Sequence, residues 1–245
     1  MKRLIWDCEW QKIKFTKLNT PLKFFERPSS DFYSRFYSKL FQKYEFYDDL
    51  PHEWRIFKTQ TAIEISKLIR EDMNILSVGC GLGFVEKTIV SINPKISIDS
   101  YDFSETANLW LKKVNGINVL NSLNLKKKYD FIFCTQLFYA FSDNEIFEFS
   151  NFVKSKLKVN GKFLTVDSSL LNAENGEVRT IKHLFYRFKN FIRPLYLFIF
   201  KRKMTQFWGW QRDNEHIVRI IKKSDLVLNK KFSSVSQSFL VFKLK

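Results

Sequence analysis

Apolar residues recur in two distinct rhythms along this chain. Over 32–44, Phe32, Tyr33, Phe36, Tyr37, Leu40, Phe41 and Tyr44 return at three- and four-residue steps, behind Ser29, Ser30 and Asp31 as candidate caps. That spacing predicts a helix with one aromatic face, read here as a packing surface in preference to a platform for stacked bases. Pro51 ends or resets the helix, and 52–72 reads as a second one. From residue 75 short apolar runs alternate with amphipathic stretches. Strands are expected at 75–78, 96–102, 117–120, 129–134 and 162–167, and helices at 84–91, 104–114 and from 142 to about 158. Ser142 and Glu145 form a capping box, Asn115-Gly116 closes a helix, and Asn160-Gly161 should turn the chain into the fifth strand. The tail reads as a helix over 214–225 and a closing pair of strands at 226–232 and 238–245.

Alternating β and α units imply an α/β fold: a doubly wound, mostly parallel seven-stranded sheet with helices on both faces and an antiparallel C-terminal edge strand. Residues 1–70 are expected as an aromatic-rich helical cap, and 71–245 as the sheet domain with a basic, aromatic insertion at 168–210. A chain of 245 residues supports one sizeable core.

Charge changes the picture of the partners. Lys and Arg number 41 against 25 Asp and Glu, a net charge of +16 that favours anionic partners, although Lys-, Asn-, Ile- and Phe-rich composition also follows from A/T-rich coding. Cys8, Cys80 and Cys134 lie far apart with no CxxC pair, so neither a disulfide framework nor a zinc site is expected. The start "MKRLIWDCEW" lacks the apolar core of a signal peptide, and the longest apolar run, 194–200, falls well short of the roughly 20 residues a membrane span requires. A cytoplasmic location is the expectation.

The candidate chemistry centres on "ILSVGCGLGF" at 75–84, where Gly79, Gly81 and Gly83 follow the first strand of the alternating region. In a doubly wound sheet, ligands bind at the carboxyl ends of the strands near this turn. A nucleoside ligand also calls for an acid at the end of the next strand; Asp102 stands there, with Asp99 as a weaker competitor inside the strand. Phe84 occupies the place where a dinucleotide fingerprint requires a small residue, and no Gly-Lys-Ser/Thr follows, so the loop suits a ligand without phosphates.

Four blocks, "ILSVGCGLG", "SIDSYDFSETANLWL", "KKYDFIFCTQLF" and "LKVNGKFLTVD", together resemble the class I S-adenosylmethionine-dependent methyltransferases over residues 50–167. The resemblance implies a Rossmann-like fold and S-adenosyl-L-methionine as cofactor. It implies that Gly79, Cys80, Gly81 and Gly83 lie under the methionine part, Asp102 holds the ribose and Phe103 flanks the adenine. Asn121, Ser122 and Leu123 follow the third strand, where the family places an adenine contact; Asn121 departs from its usual acid. Thr135 and Gln136 match the position facing the amino-acid end and the transferred methyl. Arg55 and Lys58 are within reach of the cofactor carboxylate, with solvent the ordinary place for either.

The corner after the fourth strand, "CTQLF", lacks the Asn/Asp-Pro-Pro-aromatic turn of amino-group methyltransferases. Cys134 has no basic neighbour and reads as an inert buried thiol, and no Asp/Asn cluster suggests a metal. An oxygen nucleophile is therefore the expectation, with His183 as its base in preference to His52 or His216. Residues 179–203 hold eight Lys or Arg, no Asp or Glu and seven aromatics. Such a segment suits an anionic membrane surface, a nucleic-acid backbone or a helical cap on the core; the continuous "PLYLFIF" favours a membrane or lipid-linked substrate over nucleic acid. "QFWGWQRDNEHI" resembles the lid-return segment of methyltransferases from bacterial polysaccharide clusters. Trp208, Trp210 and Arg212, with Tyr139, are candidates to line a sugar pocket, since aromatic faces and a forked cation suit saccharides or phosphate, core packing being the equal alternative. The expected acceptor is an oxygen of a glycan or lipid-linked saccharide at the cytoplasmic membrane face, against an RNA methyltransferase or a non-catalytic scaffold.

Overall fold

The computed structural model describes residues 2–23, 25–124, 126–168, 192, 195–200, 204–234 and 236–245. Seven strands form the main sheet: β4 (Ile75–Val78), β5 (Ile98–Tyr101), β6 (Ile117–Val119), β7 (Tyr129–Thr135), β8 (Leu157–Ser168), β10 (Leu226–Ser234) and β11 (Gln237–Leu244), in the order β10-β11-β8-β7-β4-β5-β6. The five strands from β4 to β8 are parallel. The C-terminal strand β11 is antiparallel, as the sequence suggests, but lies one place in from the edge, between β8 and the outermost strand β10. The chain runs from β4 outward through β5 and β6, then crosses back to β7 on the other side. That reversal opens a crevice above the carboxyl ends of β4 and β7.

Period-two alternation sorts the side chains onto two faces. Phe131 and Phe133 of β7 pack with Ala62 and Ile65 of α2 (His52–Ser66) and Val85 and Ile89 of α3 (Phe84–Ile92). Ile132 and Cys134 point the other way, against Ile146, Phe149 and Val153 of α4 (Asp143–Lys156) and Ile217, Ile220 and Ile221 of α5 (Asn214–Ile221). The capping box at α4 is formed: Ser142 Oγ accepts from Glu145 N at 3.2 Å, and Glu145 Oε2 from Ser142 N at 2.7 Å.

Local signals misread three places. Residues 105–109 and 111–113 form two short 3-10 turns instead of one helix, because Ala107 and Trp110 are drawn into the N-terminal aromatic cluster while Asn108 turns inward toward Cys80. The Asn160-Gly161 pair does not turn the chain into a new strand. β8 runs through it, and the pairing with β7 jumps from Tyr129↔Leu157 to Phe131↔Lys162, so the extra residues are taken up as a bulge. Ahead of α1 (Ser30–Lys43), the chain is extended: β2 (Glu9–Trp10) and β3 (Ile13–Lys14) make a hairpin, and β1 (Lys2–Asp7) pairs antiparallel with β9 (Gln206–Arg212). Gly209 of β9 passes so close to Tyr139 that an added Cβ would lie 1.9 Å from that residue's carbonyl oxygen. The ribbon therefore clamps the loop that follows β7.

A third core gathers beneath that ribbon. Phe32, Tyr33, Phe36, Tyr37 and Leu40 of α1 are buried with Phe15, Tyr47, Leu82, Phe84, Trp110 and Trp208. The aromatic face of α1 is thus a packing surface, as expected. It also roofs the crevice.

Candidate functional site

The glycine loop leaves β4 at Gly79 and enters α3 at Gly83. Gly79 N and Cys80 N donate to Tyr101 O at 2.8 and 3.3 Å, tying the loop to the end of β5. Asp102, the next residue, completes the connection: its Oδ2 accepts from Gly81 N at 2.8 Å and its Oδ1 from Ser104 N at 2.9 Å. Only 8% of the Asp102 surface is exposed. Burial raises its pKa from the ordinary value while the two N–H donors oppose that rise. Each carboxylate oxygen retains a lone pair for a ligand hydroxyl. Asp99 is spoken for: Lys127, Asn118 and Tyr129 all donate to it, at 2.9, 2.8 and 2.9 Å.

The three glycines do different work. Gly79 and Gly81 line a pocket with Cys80, Asp102, Phe103, Thr135 and Gln136, whereas Gly83 lies outside its lining. A Cβ on Gly83 would sit 2.3 Å from Leu111 Cδ1, and its φ of +72° is one that L side chains rarely adopt. Gly83 is thus needed for packing the start of α3. A Cβ on Gly81 would instead lie 3.2 Å from the Tyr37 hydroxyl, on the pocket side.

At the other end of the pocket stands Gln136, in the left-handed region with φ 51°. A non-glycine residue pays of order 1–3 kcal/mol to be there. Two bonds hold it: Gln136 N donates to Val166 O at 2.7 Å, and Gln136 Oε1 accepts from Lys58 Nζ at 3.0 Å. Lys58 is therefore not a solvated side chain. It is 8% exposed and lines the pocket, while Arg55 is engaged by Leu50 O and Asp48. Burial pulls the Lys58 pKa down to about 8, against the raising influence of Glu86. Glu86 is itself buried, takes a hydrogen bond from Ser77 Oγ on one oxygen and has no partner on the other among the described residues; desolvation pushes its pKa up to about 7. A desolvated ammonium at a pocket wall is a ready receptor for an anionic group.

Aromatic rings complete the enclosure, among them Trp10, Tyr33, Tyr37, Trp54, Phe103 and Tyr139. Of these, sequence reasoning singled out only Phe103 and Tyr139 as ligand contacts. Tyr33 and Tyr37 were visible as a helical face, but nothing local distinguishes a face that packs from one that also lines a pocket. Other candidates lie elsewhere. Asn121 and Ser122 are exposed beyond β6, and Leu123 packs against the α4–α5 core; none of them lines the pocket. Trp208 is buried, stacked on Phe15 and Tyr139 at centroid distances of 5.1 and 6.0 Å. Trp210 lies under the Arg27 and Arg212 guanidiniums. Arg212 donates to Asp143, Phe138 O and Phe141 O, and His216 also meets Asp143, at 2.9 Å. Cys134 is fully buried, and desolvation drives its thiol pKa well up, consistent with an inert thiol. His183 and most of the basic insertion lie outside the described residues. Among the described residues, no cluster of three or more His, Cys, Asp or Glu could hold a metal.

No protein-family model matches the chain, and none of the curated proteins matches it in sequence. Solved structures do match it in shape. Human N-acetylserotonin methyltransferase in complex with SAM aligns with a TM-score of 0.56 at 14% identity, covering 88% of this chain and 56% of that one. The calicheamicin-biosynthesis methyltransferase CalO1, in its SAH-bound form, aligns with a TM-score of 0.54 at 13% identity over 76% of this chain and 54% of its own. The glycopeptide N-methyltransferase MtfA gives 0.58 at 9% identity, over 77% and 90%. The chain has the class I methyltransferase fold. At these identities the likeness is one of fold, and the chain spans about half the length of the first two proteins. Within the methyltransferase fold, the crevice between β4 and β7 is where Asp102, Gly79, Gly81, Gln136 and Lys58 converge.

Proposed function

We propose that this chain is an S-adenosylmethionine-dependent methyltransferase. The observation that carries the reading is the Asp102 carboxylate, anchored by the Gly81 and Ser104 amides at the lip of a bare-backbone loop that shares its pocket with the buried Lys58 cation. The residues fit the cofactor's chemistry part by part. Asp102 offers acceptors to the ribose diol, Phe103 an apolar face to the adenine, and Lys58 a positive charge to the carboxylate, with Thr135 and Gln136 beside the reacting end. When bound, the cofactor supplies an electrophilic methyl group on sulfur; the protein's part is to align the acceptor in line with it and to exclude water. Calorimetry with S-adenosylmethionine and with S-adenosylhomocysteine tests the reading. Heat of binding from both is expected, and none from either would favour a non-catalytic module with a methyltransferase fold.

Lys58 makes one consequence measurable. Its ammonium is charged below about pH 8 and loses its proton above it, so attraction for the cofactor carboxylate is present on the acid side and lost as pH rises. Affinity for S-adenosylhomocysteine is expected to fall between pH 7 and 9 in the wild type. Lys58→Met should bind more weakly at pH 7 and show a flatter profile; identical profiles for the two proteins would remove Lys58 from the site.

For the acceptor we propose an oxygen of a glycan or lipid-linked saccharide, methylated at the cytoplasmic face of the membrane, with His183 as the base. Two features support this. Leu195, Tyr196, Ile199 and Phe200 are exposed on a helical stretch at 195–200, inside the basic segment without acids. Rings such as Trp10 and Tyr139 also suit the apolar face of a sugar. No described helix is long and apolar enough to cross a membrane, so any attachment through these helices would be peripheral. Flotation with anionic liposomes is the expected result; RNA affinity that falls steeply with salt, without flotation, would favour an RNA methyltransferase.

A further inference from the structure

The positive charge of the chain is unevenly spread. Residues 1–110 carry 16 Lys or Arg against 15 Asp or Glu, and 111–245 carry 25 against 10, so nearly all of the excess belongs to the second half. Part of it gathers at one pole of the sheet. α4 and α5 run back from the crevice end, which brings their last turns beside the start of β8 and β10 and the end of β11, at the opposite end. Lys154 Nζ donates to Asp225 Oδ2 at 2.7 Å, Lys245 N to Asp225 O at 3.1 Å, and Lys158 Nζ to Asp130 Oδ2 at 2.7 Å. Both acids are thereby engaged. Lys162, Lys222, Lys223, Lys243 and Lys245 are exposed and form no ion pair with any described acid.

A helix C-terminus accounts for Lys154 and Lys156, in the last turn of α4. It does not account for Lys162 and Lys243. They stand directly opposite each other across β8 and β11, an arrangement of like charges that weakens a sheet. The amino ends of β4 and β5 are different, for there Lys67 meets Glu64, Arg70 meets Asp72 and Lys95 meets Glu71. On the lysine-rich side the bulge in β8 also presents Val159, 85% exposed, in the stretch between Lys158 and Lys162. We propose that this pole docks an acidic protein surface, with Val159 as an apolar contact flanked by lysines. Ammonium groups around an aliphatic tip complement carboxylates set around an apolar spot. Nucleic acid is favoured by stacking rings and guanidinium forks, and the five unpaired cations are all lysines. A membrane is favoured by aromatic side chains at its interface, and the apolar run at 194–200 belongs to a segment that leaves β8 at the crevice end. None of the five lysines lines the crevice pocket, so the partner would hold the protein in place without completing its site.

The test uses the whole chain and two soluble probes, poly-L-glutamate and a random copolymer of glutamate and leucine, at about 0.1 M salt to screen distant charges. Both should bind, the copolymer about threefold more tightly, and Val159→Asn should erase that preference. Lys162→Glu combined with Lys243→Glu should weaken both probes about tenfold. Lys67→Glu combined with Lys95→Glu alters net charge equally at the balanced end and should cost less than about twofold. Equal losses in the two double variants would overturn the proposal, and so would equal binding of the two probes by the wild type, a comparison that needs no variant to fold. A short RNA duplex, or vesicles of phosphatidylglycerol and phosphatidylcholine, bound more tightly than either polypeptide and released by the Lys162 and Lys243 substitutions would overturn it in favour of nucleic acid or membrane. Differential scanning calorimetry checks that each variant is folded.

Discussion

Replacing Arg212 with alanine is expected to lower folding stability by about 3 kcal/mol, the size of effect seen when a buried guanidinium is taken from its partners. The side chain is 1% exposed and bonds Asp143, Phe138 O at 2.8 Å and Phe141 O at 2.6 Å. It therefore fastens β9 to the turn carrying Tyr139 and to the start of α4. Asp143 is 40% exposed and can recover some hydration, which keeps the expected cost below that of a fully buried pair. In a chain of this length the loss corresponds to roughly 6–12 °C in Tm, measurable by differential scanning calorimetry. Arg212→Lys should fall between, because an ammonium cannot reproduce the planar fork. A variant of unchanged Tm that binds acceptor poorly would return Arg212 to the sugar-pocket role suggested by the segment around it.

The second large effect is expected at Asp102. Asp102→Ala removes the acceptor for Gly81 N and Ser104 N together with two oxygens offered to the ligand. Cofactor binding should weaken about a hundredfold, near 3 kcal/mol, for the loss of charge-assisted bonds at a buried site. Asp102→Asn retains an acceptor oxygen and the side-chain size, so its loop should keep its shape while its affinity falls by less. Calorimetry gives the affinities, and amide hydrogen exchange over 79–83 reports the loop. Unchanged affinity in Asp102→Ala would place the nucleoside elsewhere.

The positions that were legible in the chain are those whose signal is local. The glycine run, the acid at the end of the following strand and the alternation that buries Phe131 and Phe133 on one face and Ile132 and Cys134 on the other are set by neighbours within a few residues. Even there, separation into roles was not legible. Gly83 shares a spacing with Gly79 and Gly81, but Leu111 decides that it is a packing glycine. Lys58 resembles any helix lysine until α2 is laid over the end of β7 and its ammonium meets Gln136. Asn121 and Ser122 sit at the right distance in sequence, yet the chain beyond β6 leaves them exposed.

The alternation of strands and helices, the two helical layers and the place of the crevice follow from hydrophobic period and from the right-handed crossovers that parallel strands require, so the amino-acid sequence alone determined the doubly wound sheet and the loop at its centre, but not which closing strand takes the edge. The walls of the crevice were decided only by tertiary structure. Trp10, Tyr33, Tyr37 and Tyr139 reach it from a hairpin, a helix and a turn, held together by β1 pairing with β9 across some two hundred residues. Contacts between segments so far apart leave no periodic trace in either partner, because each strand looks locally like any short apolar run. The folded chain alone brings their complementary surfaces together.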